Sequence, residues 1–320
     1  MYRKGSRLYL NIGVKMRKLL LILILTSFAF GGQLKPPKGM KPIMGHPLGN
    51  KGGLVGCWLT NEGSGNTVQD LSGNGNTGTF VGDVSWVAGK SGHALRLLGD
   101  TDYVNCGNKT SLNPISAITI VVRCKVDVAL SPDWIIGKYS TADSKRQYQL
   151  LRYAGTPDVF GFNLGAADGA SFKSANGATI PLANTWYDVV GTWAGIGQPL
   201  RLFLNGVEES YTSQDTKNDL ILAASTNSLL LGGRIDQLTS TWTGDIEFVY
   251  IYNRGLSPSE ISLLYRKPFC MFQPENTMIY AGAAAAPPAA TGQVIMISAI
   301  PLIIPLIVIG ATALAFRRAA

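Results

Sequence analysis

The sequence is poor in the side chains on which many catalytic sites depend. Only 2 of its 320 residues are histidine, and charged residues make up 15% of the chain. So little charge excludes a coiled coil and a long disordered protein, because both are rich in charged side chains. Two histidines disfavour a His-based catalytic triad or a zinc site. A hydrophobic content of 46% is enough to bury a substantial core.

Acidic residues are absent from the first 53 positions, which carry ten Lys and Arg side chains. Residues 54–270 contain 16 basic and 19 acidic residues, so the central part is mildly acidic although the whole chain has a formal net charge of +8. The basic excess therefore belongs to the ends of the chain. This distribution argues against nucleic acid as a partner.

Both ends carry long apolar runs that are typical of membrane signals. Met16-Arg17-Lys18 precedes the apolar run 19–30, which predicts an N-terminal extension and signal peptide over 1–32, with Met16 as an alternative start. Residues 294–316 contain no charge and are followed by two arginines, which predicts a C-terminal transmembrane helix and a cytosolic tail over 317–320. An uncleaved anchor at the first run and a tail packed on a partner at the second remain alternatives. The pattern predicts an exported protein anchored in the membrane, with its folded part outside the cytosol.

The region between these ends is all-β by its pattern. Residues 33–52 are rich in Pro and Gly and predict a linker, and residues 271–293 predict an Ala/Pro-rich spacer. Short β-rich runs separated by turn residues recur between them, which favours a sandwich or barrel. One such run, 118–128, alternates so that its even positions can share one face. Asn205-Gly206 predicts a tight hairpin, and the segment 257–265 predicts a short helix that begins with a capping box.

Five blocks within this region resemble laminin G-like domains of the concanavalin A-like lectin/glucanase superfamily. They are an opening strand over 53–66, the turn Asp70-Leu-Ser-Gly-Asn-Gly-Asn76, a strand pair over 92–104, a hairpin over 186–206 and a closing strand over 244–257. The blocks follow one another in the order of the family. The resemblance implies a concanavalin A-like jelly-roll sandwich of two antiparallel sheets over 53–270, with one concave sheet. Such folds bind sugars or proteins and occasionally catalyse reactions.

The carboxylate pattern of the catalytic relatives is missing. Those members carry Glu-x-Asp-x-x-Glu on one strand, which sets two carboxyl groups across a glycosidic bond. Asp245 and Glu247 are two residues apart, but they belong to the block that resembles the closing strand. We therefore expect no enzyme, and a diverged glycoside hydrolase stays as an alternative.

Calcium is the small ligand that the sequence favours most. The resemblance implies a calcium site at the rim of the sandwich, for which Asp70, Asn74 and Asn76 supply oxygen atoms within one turn. Glu247 stands where the family usually has an Asp, so it is the fourth candidate ligand. The alternative is that the three turn residues only hydrogen-bond their own turn.

Sugar binding requires aromatic platforms and a few polar groups in a concave site. The residues that could form one are Trp134, Tyr139, Tyr148, Arg152, Asn163 and Trp242. The alternative is that the aromatic residues pack the core. The four cysteines, Cys57, Cys106, Cys124 and Cys270, allow three full pairings, between which the sequence does not choose. Buried free thiols are an equal alternative, because Cys57 and Cys124 fall within apolar strands.

Together these features predict an exported, membrane-tethered module that recognises glycan with calcium assistance. A structural or adhesion module with an extracellular protein as its partner is the first alternative, and a surface protein of a virus or phage particle is one version of it.

Overall fold

The structure, a computed structural model, describes residues 40–273 apart from short gaps. The gaps are 44, 100, 115, 128–132, 143–144, 154–157, 167–170, 217–221, 223–224 and 239–240. The predicted signal peptide, transmembrane segment and cytosolic tail all lie outside the described residues. Within the described residues, no helix is long and apolar enough to cross a membrane.

Short strands make up most of the described chain, as the turn-rich pattern predicts. In chain order they are β1 (Lys41–Pro42), β2 (Leu54–Trp58), β3 (Thr67–Val68), β4 (Gly78–Val81), β5 (Ser85–Ala88), β6 (His93–Leu98), β7 (Tyr103–Asn105), β8 (Ile118–Val126), β9 (Asp133–Lys138), β10 (Tyr148–Tyr153), β11 (Val159–Gly165), β12 (Phe172–Gly177), β13 (Thr185–Trp193), β14 (Leu200–Leu204), β15 (Val207–Glu208), β16 (Tyr211–Gln214), β17 (Leu230–Leu231), β18 (Thr243–Tyr252) and β19 (Phe272–Gln273).

Two large sheets form a sandwich. The nine-stranded sheet has the order β16-β12-β11-β10-β9-β17-β7-β4-β3, and the eight-stranded sheet has the order β15-β14-β13-β8-β18-β6-β5, with β2 also paired to β18. Neighbouring strands of both sheets run antiparallel. The prediction of an all-β sandwich of two antiparallel sheets is confirmed.

The core lies between the two sheets and is built by strand alternation. Along β8 the inward-facing side chains are those expected from the sequence, namely Ile118, Ile120, Val122, Cys124 and Val126. From the opposite sheet, Tyr148, Leu150, Phe162 and Leu164 complete the core. These residues fix which face of β10 and β11 points outward, because side chains alternate along a strand.

The outer face of the eight-stranded sheet is covered by a second apolar cluster. Phe248, Tyr250 and Tyr252 project outward from β18, and Leu48 and a short helix pack over them. This helix, α1 (Pro258–Arg266), has Ser257 as its N-cap and the reciprocal hydrogen bonds of a capping box, as predicted. The predicted hairpin is also confirmed, since Asn205 and Gly206 both have positive φ angles between β14 and β15. The part of this outer face that lies over β18 is therefore covered.

Part of the predicted linker packs against the sandwich. Strand β1 pairs with β19, and the Tyr252 hydroxyl donates a hydrogen bond of 3.0 Å to the backbone oxygen of Leu48. The structure thus extends the folded unit to residues on both sides of the predicted boundaries.

The four cysteines of the chain, all of which are described, are free thiols.

Candidate functional site

Polar and aromatic side chains gather on the outer face of the nine-stranded sheet. Strand register aligns Gln149 of β10 with Gly137 of β9 on one side and Asn163 of β11 on the other. A second row aligns Trp134, Leu151, Gly161 and Asn176 across β9 to β12. We call seven of these outward-facing residues and their neighbours the sheet-face cluster: Trp134, Tyr139, Gln149, Tyr153, Asn163, Asn176 and Arg234.

Arg234 holds the aromatic part of the cluster together. Its guanidinium carbon lies 4.6 Å from the centre of the Trp134 ring and 5.6 Å from that of Tyr139. Asp236 pairs with the same guanidinium at 2.7 Å, so the charge of Arg234 is neutralised. Burial raises the pKa of Tyr139 to about 12, which keeps its hydroxyl protonated at neutral pH. This part of the cluster brings two aromatic rings and a phenolic donor together around one guanidinium, and both aromatic residues are at most 4% exposed.

An amide and a second tyrosine form the other part. The Asn163 side-chain nitrogen donates to the Tyr153 hydroxyl at 2.8 Å, and the ring of Tyr153 lies over Gly161. A Cβ atom at Gly161 would approach that ring to 2.5 Å and the Asn176 oxygen to 2.8 Å. Glycine is therefore required here, because any side chain would displace Tyr153 from the face.

Three polar atoms of the cluster are buried with no partner among the described residues. They are the indole nitrogen of Trp134, the side-chain oxygen of Gln149 and the side-chain oxygen of Asn176. Gln149 is only 3% exposed. A buried polar atom left without a hydrogen bond costs about 1–3 kcal/mol, and native proteins contain few of them. The outer face of the nine-stranded sheet therefore holds one donor and two acceptors whose hydrogen bonds are not made by the described residues.

The structure brings three of the six predicted ligand-binding residues to this face and places the others inside. Trp134, Tyr139 and Asn163 belong to the cluster. Tyr148, Arg152 and Trp242 point into the sandwich, where none of them is more than 1% exposed. Tyr148 and Arg152 point inward because side chains alternate along a strand, and positions 148, 150 and 152 of β10 share the inner face. Tyr148 donates to the backbone oxygen of Leu112 at 3.0 Å. Arg152 pairs with Asp133 and Asp158.

Gln149, Tyr153, Asn176 and Arg234 were not predicted from the sequence. Gln149 and Tyr153 alternate with the inner-facing positions of β10, so the two-residue period of a strand is consistent with their outward direction. The sequence does not show which set of positions faces inward, because Leu150 and Leu151 are consecutive and fall one in each set. Arg234 lies outside the named strands, so no strand periodicity points to it.

The predicted calcium turn is closed by its own hydrogen bonds. One Asp70 carboxylate oxygen accepts from the backbone of Cys57 and Ser72, and the other accepts from the backbone and side chain of Asn76. The Asn74 and Asn76 side-chain nitrogens donate to the backbone oxygen of Val55, each at 3.1 Å. A cation at Asp70 would have to displace these donors.

Glu247 lies elsewhere and has other partners. Its carboxylate accepts from the backbone nitrogen of Ser91 and from Arg123 at 3.2 Å. Arg123 also forms a two-pronged pair with Asp188, at 2.5 and 2.8 Å. Asp70 and Glu247 share no hydrogen-bond partner among the described residues. Nor does that part of the chain contain a cluster of three or more His, Cys, Asp or Glu side chains that could hold a metal.

The two carboxylates with the spacing of a catalytic pair are both engaged in ion pairs. Asp245 pairs with Lys125 at 2.6 Å and with Arg96. A β-bulge in β18 falls between Ile246 and Phe248, so Glu247 is taken out of the regular alternation. Neither group faces the sheet-face cluster.

Comparison with known proteins assigns this architecture to a family. A laminin G model, described as the concanavalin A-like lectin/glucanases superfamily, matches residues 98–262. The chain belongs to this superfamily. The comparison with curated proteins gives no significant match.

Solved structures share the fold at low sequence identity. The binding domain of Paraclostridial Mosquitocidal Protein 1 gives a TM-score of 0.56 at 16% identity, covering 69% of this chain and 53% of that one. The receptor binding domain of botulinum neurotoxin mosaic serotype C/D gives 0.52 at 16% identity, covering 67% and 50%. The binding domain of botulinum neurotoxin serotype G gives 0.51 at 14% identity, with the same coverages. The chain spans about half the length of these structures, and the likeness shows the fold.

Proposed function

We propose that this protein is a binding module that takes oligosaccharides on its sheet-face cluster. The observation that carries the proposal is the set of buried, unpartnered polar atoms beside two aromatic rings on the outer face of the nine-stranded sheet. Sugars present apolar faces that pack on aromatic rings and hydroxyl groups that both donate and accept. Membership of a superfamily that includes lectins supports this assignment. So do the neighbours, whose names identify them as binding and receptor binding domains.

Gln149 gives the sharpest test of the site. In Gln149→Leu the side chain keeps its approximate volume but loses its buried acceptor. The matched control is Gln198→Leu, because Gln198 is exposed and lies outside the cluster. The purified full chain in detergent is applied to a glycan array at high protein density. We expect specific binding that Gln149→Leu weakens about tenfold and that Gln198→Leu leaves unchanged.

Two results would contradict the proposal. One is the absence of any glycan bound by the unaltered chain. The other is equal binding by Gln149→Leu and the unaltered chain, which would move the ligand away from this face.

Calcium assistance is part of the proposal and has its own test. The support is the oxygen-rich turn of Asp70, Asn74 and Asn76, which the resemblance associates with a rim site. A cation there would take its protein oxygens from this turn, since Glu247 is held by Ser91 and Arg123. Calorimetry with added calcium, and thermal unfolding with calcium or a chelator, measure it directly. Binding with a higher Tm is expected, and the absence of both would leave the turn with a structural role only.

We further propose that the protein is exported and tethered to the membrane. Both parts of this proposal rest on the apolar runs 19–30 and 294–316 and on the basic residues beside them. After cell fractionation, we expect the protein with the membranes and its sandwich accessible to added protease. Recovery in the soluble fraction would contradict the anchor.

A further inference from the structure

One arginine at the end of the sheet-face cluster lacks the partner that comparable arginines have. Ion pairs with carboxylates occupy six arginines of the described chain, which are Arg96, Arg123, Arg152, Arg201, Arg234 and Arg254. The other two described arginines form no ion pair with a described carboxylate. Arg266 donates its Nε hydrogen to the backbone oxygen of Ser262 at 3.3 Å, whereas the Nε atom of Arg146 is buried without a hydrogen-bond partner among the described residues. A partly buried guanidinium in this state has donors to offer to an anion.

The position of Arg146 links it to the ligand face. Its backbone and Cβ lie against Gly165, where an added Cβ would come within 2.2 Å of the Arg146 Cβ. Gly165 follows Asn163 by two residues on the same face of β11, a distance of about 7 Å along the strand. That spacing is on the scale of one sugar ring. Arg146 also acts on Tyr139, whose pKa it lowers against the larger effect of burial.

An exposed aromatic ring completes this end of the face. Phe172 pairs with Gly165 across β11 and β12 and is 50% exposed. The Arg146 guanidinium carbon lies 5.9 Å from the centre of the Phe172 ring. A ring platform beside a cation suits a ligand with an apolar face and a negative group at its edge.

No described carboxylate pairs with Arg146, whereas two other cations near this end of the sheet are paired. Arg234 is neutralised by Asp236 at 2.7 Å, and Lys173 lies 3.5 Å from Asp215. An anion beside Arg146 would thus meet a guanidinium that no described carboxylate neutralises. We infer that the ligand is an acidic oligosaccharide whose sugar carboxylate binds the Arg146 guanidinium while a sugar ring packs on Phe172. The planar fork of arginine fits a carboxylate with two parallel hydrogen bonds.

This inference rests on the proposed function, and the experiment separates the two. The full chain is titrated with oligogalacturonates, glucuronate-containing oligosaccharides and sialylated oligosaccharides, each beside its methyl ester, and with sulfated and neutral oligosaccharides. We expect at least one acid to bind about 10- to 100-fold more tightly than its ester. Arg146→Met should remove that preference, and added salt should weaken it. The control Arg201→Met, in an exposed pair with Glu208, should preserve it.

Each other outcome has a defined meaning. Equal binding of acids and esters, or an unchanged preference in Arg146→Met, overturns the carboxylate inference and leaves glycan binding in place. Tighter binding of sulfated oligosaccharides than of every carboxylate overturns the choice of anion. Binding of no oligosaccharide in any arm overturns the proposed function itself.

Discussion

Removal of the Arg123 charge should destabilise the sandwich strongly, because two buried carboxylates would lose their cation. Arg123, Asp188 and Glu247 are each at most 4% exposed and lie on three adjacent strands of the eight-stranded sheet. Burial opposes the charge of Arg123, but hydrogen bonds and charge interaction with Asp188 and Glu247 raise its pKa overall. The change considered is Arg123→Met, which keeps the length of the side chain.

The expected loss follows from the cost of uncompensated buried charge. Removing one partner of a buried ion pair costs about 3–5 kcal/mol of unfolding free energy. For a domain of this size that corresponds to a fall in Tm of about 6–20 °C. The matched control is Arg201→Met. Both arginines lie over a phenylalanine ring, Arg123 over Phe248 and Arg201 over Phe203, but Arg201 pairs with Glu208 at the surface. Its loss should stay below about 1 kcal/mol. Thermal and urea unfolding, followed by tryptophan fluorescence, measure both variants.

The pH dependence identifies the cause. Burial is the largest influence on Glu247 and raises its pKa, while Ser91 and Arg123 lower it. In Arg123→Met this pKa should rise further above the unfolded value. A carboxyl group with a raised folded-state pKa binds its proton more tightly in the folded protein, so stability is lost as pH rises through that pKa. The deficit should therefore be large at pH 7 and shrink towards pH 4. A deficit that is independent of pH, or as small as that of Arg201→Met, would refute this reasoning.

Three further predictions concern stability and use the same unfolding assay. Burial lowers the pKa of Lys138 to about 8; the unfolded chain therefore binds more protons between pH 8 and about 10.5, and the native protein should gain stability over that interval. Lys138→Met should lose this gain, and an identical pH profile for both proteins would contradict the assignment. Asp70→Ala should cost about 3 kcal/mol or more, because several donors lose their acceptor; a loss below 1 kcal/mol would show that the turn is held otherwise. Gly191→Ala should cost about 1–3 kcal/mol, since its Cβ would fall 2.4 Å from the ring of Phe162; an unchanged Tm would mean that the core adjusts freely.

Elements with strong local signals could be predicted from the sequence. Strand β8 follows from the alternation of its apolar residues. The Asn205-Gly206 turn follows from the ease with which these residue types adopt positive φ angles, and the start of α1 follows from the capping-box residues at Ser257 and Glu260. Strands such as β4 and β12 were not predicted. Strand β4 has only four residues, too few to show a period, and the side chains of β12 are largely polar or small, so both strands are identified by pairing with their neighbours rather than by apolar periodicity.

The site could be predicted only in part, because its residues are selected by strand register. Trp134 and Asn163 are outward-facing and were identified by residue type. Tyr148 is also a candidate ligand-binding residue because it is aromatic, but its place in the alternation of β10 directs its side chain into the core. Arg146 gives no signal in the sequence that separates it from any other arginine. Its importance depends on the absence of a described carboxylate beside it, which becomes visible only in three dimensions.

The pairing of β1 with β19 determines how the domain can be attached to other structures. Because Lys41 and Gln273 are paired across this two-stranded ribbon, the chain enters and leaves the folded unit at adjacent points. The ribbon lies with the apolar cluster behind the eight-stranded sheet, on the side opposite the sheet-face cluster. Tension applied through the two flanking segments would act first on the short ribbon and only afterwards on the sandwich. The sheet-face cluster lies on the far side of the sandwich from this ribbon, so a pull on the chain reaches that cluster last.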